Sequence, residues 1–453
     1  MFAGLVIWNY KWDLVLNVSL SSTDIGGSVY KIVSGGSGSA IDAISDANIN
    51  IDDSGTNRAG SLVFTTYTSG NNLVLRVGTE NTKSSSNSGE DSVYNAINSF
   101  TDTTGTLYTM QRYLDSSFVG ETQKVEAIKS LTPQADNSTN RSVFNSTTGS
   151  VNVASNRLGS LRNADSTSKG FSSGDNSVDK NIWVQQFGSS VNQGNMIGSE
   201  GYKSNSIGMA MGMDREISDG FILGFGGSYS KSKIKTRSGT KGTEIDTYQA
   251  NIYSGYNFGK YFINSILGVA LNEYSSNRSI AVANSTAIAK YSGQSYIGRI
   301  ESGFDHKFKN NLIITPSIIV TAAQNRVSEY SEGGAGELNL NVKNNRSNFL
   351  ETRFATELSR EFKTTKGTKI YQSLNASYGY DFAATKQVTN SNFIGRNASF
   401  EASGSKVVQG SYRLGTGLKA NYNDAISVSV NYDYDYKKSY QGHTGSVKFK
   451  YNF

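Results

Sequence analysis

From Asn181 to Phe453 the chain keeps returning to a period of two, which limits this region to strands with two unlike faces. Ile207, Met209, Met211 and Met213 alternate with Gly208, Ala210, Gly212 and Asp214, and Phe221, Leu223, Phe225, Gly227 and Tyr229 alternate with smaller neighbours. Leu350 to Leu358 alternates with Glu351, Arg353, Ala355, Glu357 and Ser359, and Tyr412 to Leu418 with Arg413, Gly415, Gly417 and Lys419. Ile426, Val428, Val430, Tyr432, Tyr434 and Tyr436 face away from Ser427, Ser429, Asn431, Asp433 and Asp435, and Val447, Phe449, Tyr451 and Phe453 away from Lys448, Lys450 and Asn452. One face is apolar throughout and the other small, polar or charged.

About twelve such strands start near Ile182, Ser206, Phe221, Glu244, Tyr261, Ser295, Leu312, Asn348, Lys369, Lys406, Ala425 and Thr444. Short turns at Ser218-Asp219-Gly220, Gly259-Lys260, Lys309-Asn310-Asn311 and Asn423-Asp424 alternate with long polar loops. Those loops are predicted over 193–203, 231–243, 272–293, 325–347, 383–405 and 437–443. An even strand count with this turn rhythm describes an antiparallel transmembrane β-barrel of the outer-membrane type. A soluble sandwich or lipocalin-like barrel would put the apolar face inside. Its core would then expel the charges Arg299, Glu301, Glu351, Arg353, Glu357, Arg413, Lys419, Asp433 and Asp435, which are costly to bury. A hydrated lumen accepts them. Pro316 removes a ladder donor inside one strand, and there marks a bulge or a strand start.

Upstream the texture changes twice. Residues 1–105 are rich in Ser, Gly, Asn and Asp, with short apolar runs at 28–33, 49–52, 61–64 and 73–77 that suit a β-solenoid-like segment. Between 106 and 180 the spacing becomes helical: Leu107, Met110, Leu114, Phe118, Val125, Ile128 and Leu131 recur at helical intervals before Pro133 interrupts. A second helix is predicted over Ser142 to Leu161, with Val143, Phe144, Val151, Val153, Leu158 and Leu161 set among Ser, Thr, Asn, Ala and Gly. At ~1.5 Å per residue it spans about 30 Å, the thickness of a bilayer core, and its small polar surface suits a pore better than lipid. No apolar run reaches the ~20 residues of a membrane-spanning helix. The run Phe2 to Trp8 lacks the basic flank and cleavage site of a signal peptide.

Composition narrows the chemistry. With no cysteine there is no disulfide framework or thiolate metal site, and with His306 and His443 as the only histidines no histidine-rich metal site is expected. No cofactor or catalytic set is expected either. No Gly-x-Ser-x-Gly stands on a strand–turn–helix pattern, and Gly35-Gly36-Ser37-Gly38 lacks the lysine of a phosphate loop. The net charge of +6 comes from scattered basic residues interleaved with acidic ones, so nucleic acid is not the expected partner.

The region Leu107 to Phe453 resembles the translocators of autotransporters, the type V secretion proteins. The resemblance is carried by Asn181-Ile182-Trp183-Val184-Gln185-Gln186-Phe187-Gly188 where the barrel begins, by the pore-length helix before it, and by the proline-bearing strand Ile313 to Ile318. The aromatic C-terminal strand Val447 to Phe453 completes it, and the Asn-, Ser- and Thr-rich upstream segment is similar to rickettsial surface antigens. The resemblance implies a barrel inserted by the outer-membrane assembly machinery with periplasmic chaperones, with Val447, Phe449, Tyr451 and Phe453 as its recognition signal. It implies a monomeric barrel in the outer-membrane bilayer and a Ser142 to Leu161 helix that plugs the lumen and tethers a surface-exposed passenger, in reach of a host-cell surface. Arg299, Glu301, Arg353, Glu357, Arg413 and Lys419 are then expected to meet that helix. Self-cleavage at an Asn-Asn pair, known in the family, has no such pair between Thr101 and Lys180. Other readings are a diffusion porin, a surface adhesin binding through residues 1–100, and a non-exported fragment of a larger surface antigen.

Overall fold

A computed structural model describes residues 88–102, 104–115, 119–134, 137–162, 181–196, 198–309, 311–364, 368–404, 406–422 and 426–451. Upstream of these it describes the short strands Leu16–Val18, Val29–Ser34, Ile49–Ile51, Arg58–Ala59, Leu62–Ser69 and Asn72–Thr79. Four helices follow: α1 Ser88–Asn98, α2 Gly105–Asp115, α3 Glu121–Leu131 and α4 Ser138–Arg162. Then come the long strands β1 Asn181–Gln193, β2 Tyr202–Ser218, β3 Phe221–Thr236, β4 Lys241–Phe258, β5 Tyr261–Ile280 and β6 Ser285–Phe304. The second half of the sheet is β7 Leu312–Val327, β8 Asn345–Lys363, β9 Lys369–Asp381, β10 Gly410–Tyr422, β11 Ile426–Lys437 and β12 Tyr440–Tyr451.

Each long strand pairs antiparallel with the next, and β12 returns to β1 over Tyr440↔Gln193 to Phe449↔Val184, which closes a twelve-stranded barrel. Closure leaves no sheet edge, the condition for backbone to cross hydrocarbon as strands. Side chains alternate strictly: on β5, Phe262, Asn264, Ile266 and Ala270 point inward and are buried, while Leu267 is 63% exposed and Leu271 59% on the outside. Outward aromatics cluster at the short-turn end, where Tyr256, Phe258 and Tyr261 stack in series, Phe304 meets Tyr261 edge-on, and Lys260 lies over the Tyr261 and Phe304 rings. A second belt includes Tyr229 packed on Tyr248 and Tyr378 on Tyr412. From Tyr261 to Leu271 the apolar outer face, at ~3.3 Å per residue and a tilt of ~40°, stands about 25 Å tall, the height of an outer-membrane apolar band. Trp and Tyr favour such interfaces because the ring is apolar and its tip polar.

The structure departs from the sequence reading in three main places, and the loop expected over 437–443 is in fact a two-residue turn between β11 and β12. The spans 231–243 and 272–293, expected as loops, are mostly strand: β3 to β6 run on past the outer aromatic belt. There the outward residues become Lys231, Lys233, Glu244, Asp246 and Glu273, with Lys231 and Lys233 paired to Glu244 at 3.1 and 3.0 Å. Apolar residues move inside instead, with Ile234, Ile245, Tyr274 and Ile280 at 2% exposure or less. Leaving lipid reverses which face must be apolar, so the amphipathic signal loses its sign while the strand continues. Secondly, Val29–Ser34, Arg58–Ala59, Leu62–Ser69 and Asn72–Thr79 form an antiparallel sheet, where a solenoid would stack parallel coils; among the described residues only Leu16–Val18 and Ile49–Ile51 pair parallel. Thirdly, Pro316 neither starts a strand nor shifts the register. The β6–β7 ladder stops at Gly303↔Ser317 and resumes at His306↔Ile314, so the missing N–H falls in the gap.

Above the barrel lies a second core. Helices α1 to α3 present Val93, Ile97, Leu107, Met110, Leu114, Ile128 and Leu131 to Ile280 and Ala287 at the tips of β5 and β6. The loops between β7 and β8 and between β9 and β10 complete it with a small sheet of Tyr330–Ser331, Leu340–Val342, Val388–Phe393 and Ser399–Ser403. The helical spacing of Leu107 to Leu131 therefore marks the buried side of a cap on the long-loop end; Phe118, expected on the same face, lies outside the described residues.

Candidate functional site: the lumen helix and its wall

Helix α4 lies in the barrel, four residues longer at its start than the predicted Ser142 to Leu161 segment and ending one residue beyond it. Its side chains are too small and polar to form a core alone, and the wall is cut to match. Ser142, Ser146 and Ser150 recur every four residues on one face and meet Ser204, Ser232 and Ser228 at 2.8, 2.9 and 2.8 Å. Asn251 donates to the Ser150 hydroxyl at 2.7 Å, and Gln249 to the Thr147 carbonyl at 3.3 Å. Small residues let helix and wall approach: a Cβ at Gly149 would stand 3.1 Å from the Phe187 ring, and one at Gly208 would stand 2.5 Å from the same ring. Val151, Val153, Ala154 and Leu158 pack on Trp183, Phe187, Ile222, Tyr253 and Ile266.

Charge fixes the lower turns. Arg157 donates twice to Asp214, Nε and Nη2 each at 2.8 Å, and both side chains are at most 2% exposed. Tyr253 donates to the same carboxylate at 3.0 Å while accepting from the Trp183 indole at 2.7 Å. The charge is therefore neutralised and its remaining lone pair satisfied, as burial of an ion pair requires. Ser155 donates to Glu301 at 2.7 Å, Arg299 donates to the Asn152 amide oxygen at 2.6 Å, and Arg162 meets Asp305 at 3.0 Å above the Phe262 ring.

All the bonded partners just named belong to β2 to β6 or to the short link after β6, so α4 leans on one half of the wall. Beside α4 lies a cavity of about 780 Å³, lined largely by the other half of the wall and also by β6, and it holds every one of the predicted lumen charges: Arg299, Glu301, Glu351, Arg353, Glu357, Arg413, Lys419, Asp433 and Asp435. The structure brings only the first two of these to the helix by a bond. Arg353 pairs instead with Glu351 at 3.0 Å and with Ser377 and Ser411, and Arg413 pairs with Asp435 at 2.8 Å. These pairs run along one strand or across one ladder, where their spacing on one face puts them in reach. Asp214, Tyr253 and the wall serines, which do grip α4, are hard to single out in sequence: each reads as an ordinary inward position.

Of the predicted helix residues, Val143 is fully buried, and Phe144 lies against Phe349 with ring centroids 5.5 Å apart; Leu161 is half-buried. Val143 belongs to an apolar collar at the outer mouth, formed by Val191, Tyr202, Ile234, Ile245, Tyr274, Tyr291, Val327 and Tyr440 from β1 to β7 and β12. Val447 and Phe449 of the C-terminal strand point outward, 51% and 56% exposed, toward what would be lipid. The Tyr451 side chain and Phe453 lie outside the described residues.

An apolar outer band between aromatic belts, a charged lumen and a helix held within it define an outer-membrane β-barrel of the translocator kind. The autotransporter beta-domain family matches residues 182–433, more than half of the chain, and the chain belongs to that family. Outer membrane protein A of Rickettsia conorii is 26% identical over 296 residues, which take in 62% of this chain and 14% of the relative. Outer membrane protein B of Rickettsia prowazekii is 23% identical over 330 residues, 68% of this chain and 20% of the relative. The chain thus spans a small part of the length of these relatives. The translocator domain of the autotransporter NalP from Neisseria meningitidis has the same fold, with a TM-score of 0.52 at 14% identity over 68% of this chain and 98% of that one. The chain is an outer-membrane autotransporter β-barrel related to rickettsial surface proteins.

Proposed function

We infer that the barrel carries the segment ahead of it to the cell surface and then holds it there through α4. The grip of the wall on this helix carries the reading: a buried Arg157–Asp214 pair and a serine ladder fit one helix in one register, which a general diffusion pore has no use for. In this reading residues 1–105 are passenger, 106–180 the link and 181–453 the translocator, with α1 joining the link at the barrel mouth. The charged half of the lumen offers an extended chain a hydrated wall without apolar stickiness. The work is conductive and structural, not enzymatic, and outward folding of the passenger supplies direction without a nucleotide or a metal. Val447, Phe449, Tyr451 and Phe453 serve as the address read by the assembly machinery, and the barrel acts as a monomer. Contact with a host cell belongs to the passenger.

The test is export of an epitope-tagged chain behind a foreign signal peptide, read by protease sensitivity of the tag on intact cells and heat-modifiable gel migration of the barrel. A surface tag with a compact heat-modifiable band supports the reading. Deleting 138–162 is expected to abolish retained display while the compact band persists. A compact band whose tag stays periplasmic favours the diffusion porin.

A further inference from the structure

The described lumen is unevenly dry. Its cavity is mostly polar and runs from Arg141 and Lys437 near the long-loop end to Lys307, Asn311 and Arg360 at the short-turn end. Toward the long-loop end the two sides of α4 differ: Val143 is fully buried in the collar, whereas on the other side the cavity follows Asn152, Asn145 and Arg141 up to Lys437 and Tyr440. Ile234, Ile245 and Tyr274 close on Val143 from three neighbouring strands, and Tyr274 stacks on Tyr291, which stacks in turn on Tyr330 of the cap at 3.9 Å. Over the arc the collar leaves open, the segment between β9 and β10 folds in, and its Gln387 accepts a hydrogen bond from Asn140 of α4.

The cap fastens this arrangement from above. Arg278, at the tip of β5, donates to the Ser130 carbonyl at the end of α3 at 2.7 Å and to the Leu338 carbonyl at 2.9 Å, and pairs with Glu332. Glu337 accepts the Thr106 and Leu107 backbone amides at the start of α2, at 2.7 and 3.1 Å, where the free N–H groups of a helix favour an anion. Both halves of the cap core are needed: one half precedes α4 in the chain and the other belongs to the barrel loops.

We propose that the permeability barrier of this barrel is its outer mouth, where the apolar collar around Val143 closes one side of α4 and the folded cap with the β9–β10 segment covers the other, and that the lumen below is open to the periplasm. An apolar constriction stops ions because water leaves it, whereas a polar helix in a polar lumen leaves a hydrated path beside it. The cap core cannot form until residues 88–131 are outside, so the barrier cannot close before they have left the pore. The proposal rests on the outer-membrane barrel reading, but its test does not need a passenger to be exported.

The chain has no cysteine, so single cysteines report cleanly. Asn152→Cys and Val143→Cys are placed in the full chain and challenged with a membrane-impermeant maleimide, from outside on intact cells and from inside in spheroplasts, with folding checked by heat-modifiable migration. Asn152→Cys is expected to label from the periplasmic side at least tenfold faster than from outside, and Val143→Cys from neither side. Adding Ile97→Asp and Leu131→Asp to open the cap should make Asn152→Cys label from outside and raise single-channel conductance at least fivefold. Where that double variant loses the compact band, Arg278→Gln is read in its place. Equal labelling of Asn152→Cys from both sides with the cap intact overturns the proposal. So does an open cap that leaves outside labelling unchanged, since the helix alone would then be the seal. Absence of any heat-modifiable species for the unsubstituted chain overturns the barrel reading instead.

Discussion

Arg157 and Asp214 show how much one lumen position decides. With both groups buried, Arg157→Ala leaves an unneutralised carboxylate in contact with Tyr253 and is expected to cost about 3–5 kcal/mol. It should appear as a lower melting temperature of the folded band in detergent; an unchanged melting curve would mean that solvent reaches the pair. Arg157→Lys keeps the charge but loses the two parallel bonds, so partial recovery is expected. Gly208→Val tests close packing, because its Cβ would stand 2.5 Å from the Phe187 ring. The same ring also stands close to Gly149 of α4, so the substitution should both lower stability and expose α4 to protease.

At the scale of a strand, depth matters more than residue type. On β5, Leu267 points outward near the middle of the apolar band, while Ser275 points outward beyond the outer belt on the same strand. Leu267→Arg is expected to destabilise the barrel in vesicles by about 2–4 kcal/mol and Ser275→Arg by about 0–1, measured by urea titration of folded protein. Comparable costs at both sites would put β5 at a different depth from the one its belts define. The sequence carried this strand as far as Leu271 and then lost it, since Glu273, Ser275 and Asn277 look like loop when the outer face is expected to be apolar. Helix α4 shows the opposite case. Its length and smallness were visible in the composition of 142–161, but no feature of the helix itself says which half of the wall it touches.

Among the described residues the α4–wall interface, the collar around Val143 and the cap follow one another toward the long-loop end. The apolar band of about 25 Å is thin by the standard of a ~30 Å bilayer core. The chain is therefore expected to fold in higher yield into vesicles of short acyl chains, twelve carbons, than into those of eighteen, read as the fraction of heat-modifiable band. A reversed preference would mean that the strand extensions past the outer belt are inside lipid.

The sequence by itself determined the barrel, its strand number, the inward charges and the presence of a pore-length helix. Each of these is written in a local period that survives wherever one face meets lipid and the other meets water. Only the tertiary structure decided that Arg353 and Arg413 serve their neighbours on the wall instead of the helix, that Asp214 and Tyr253 hold α4, and that α1 to α3 share a core with loops more than 140 residues away. Such pairings join segments whose separate patterns are complete without each other. Which of them meet is set by barrel closure and by the path of the chain through the lumen, and neither leaves a period to read.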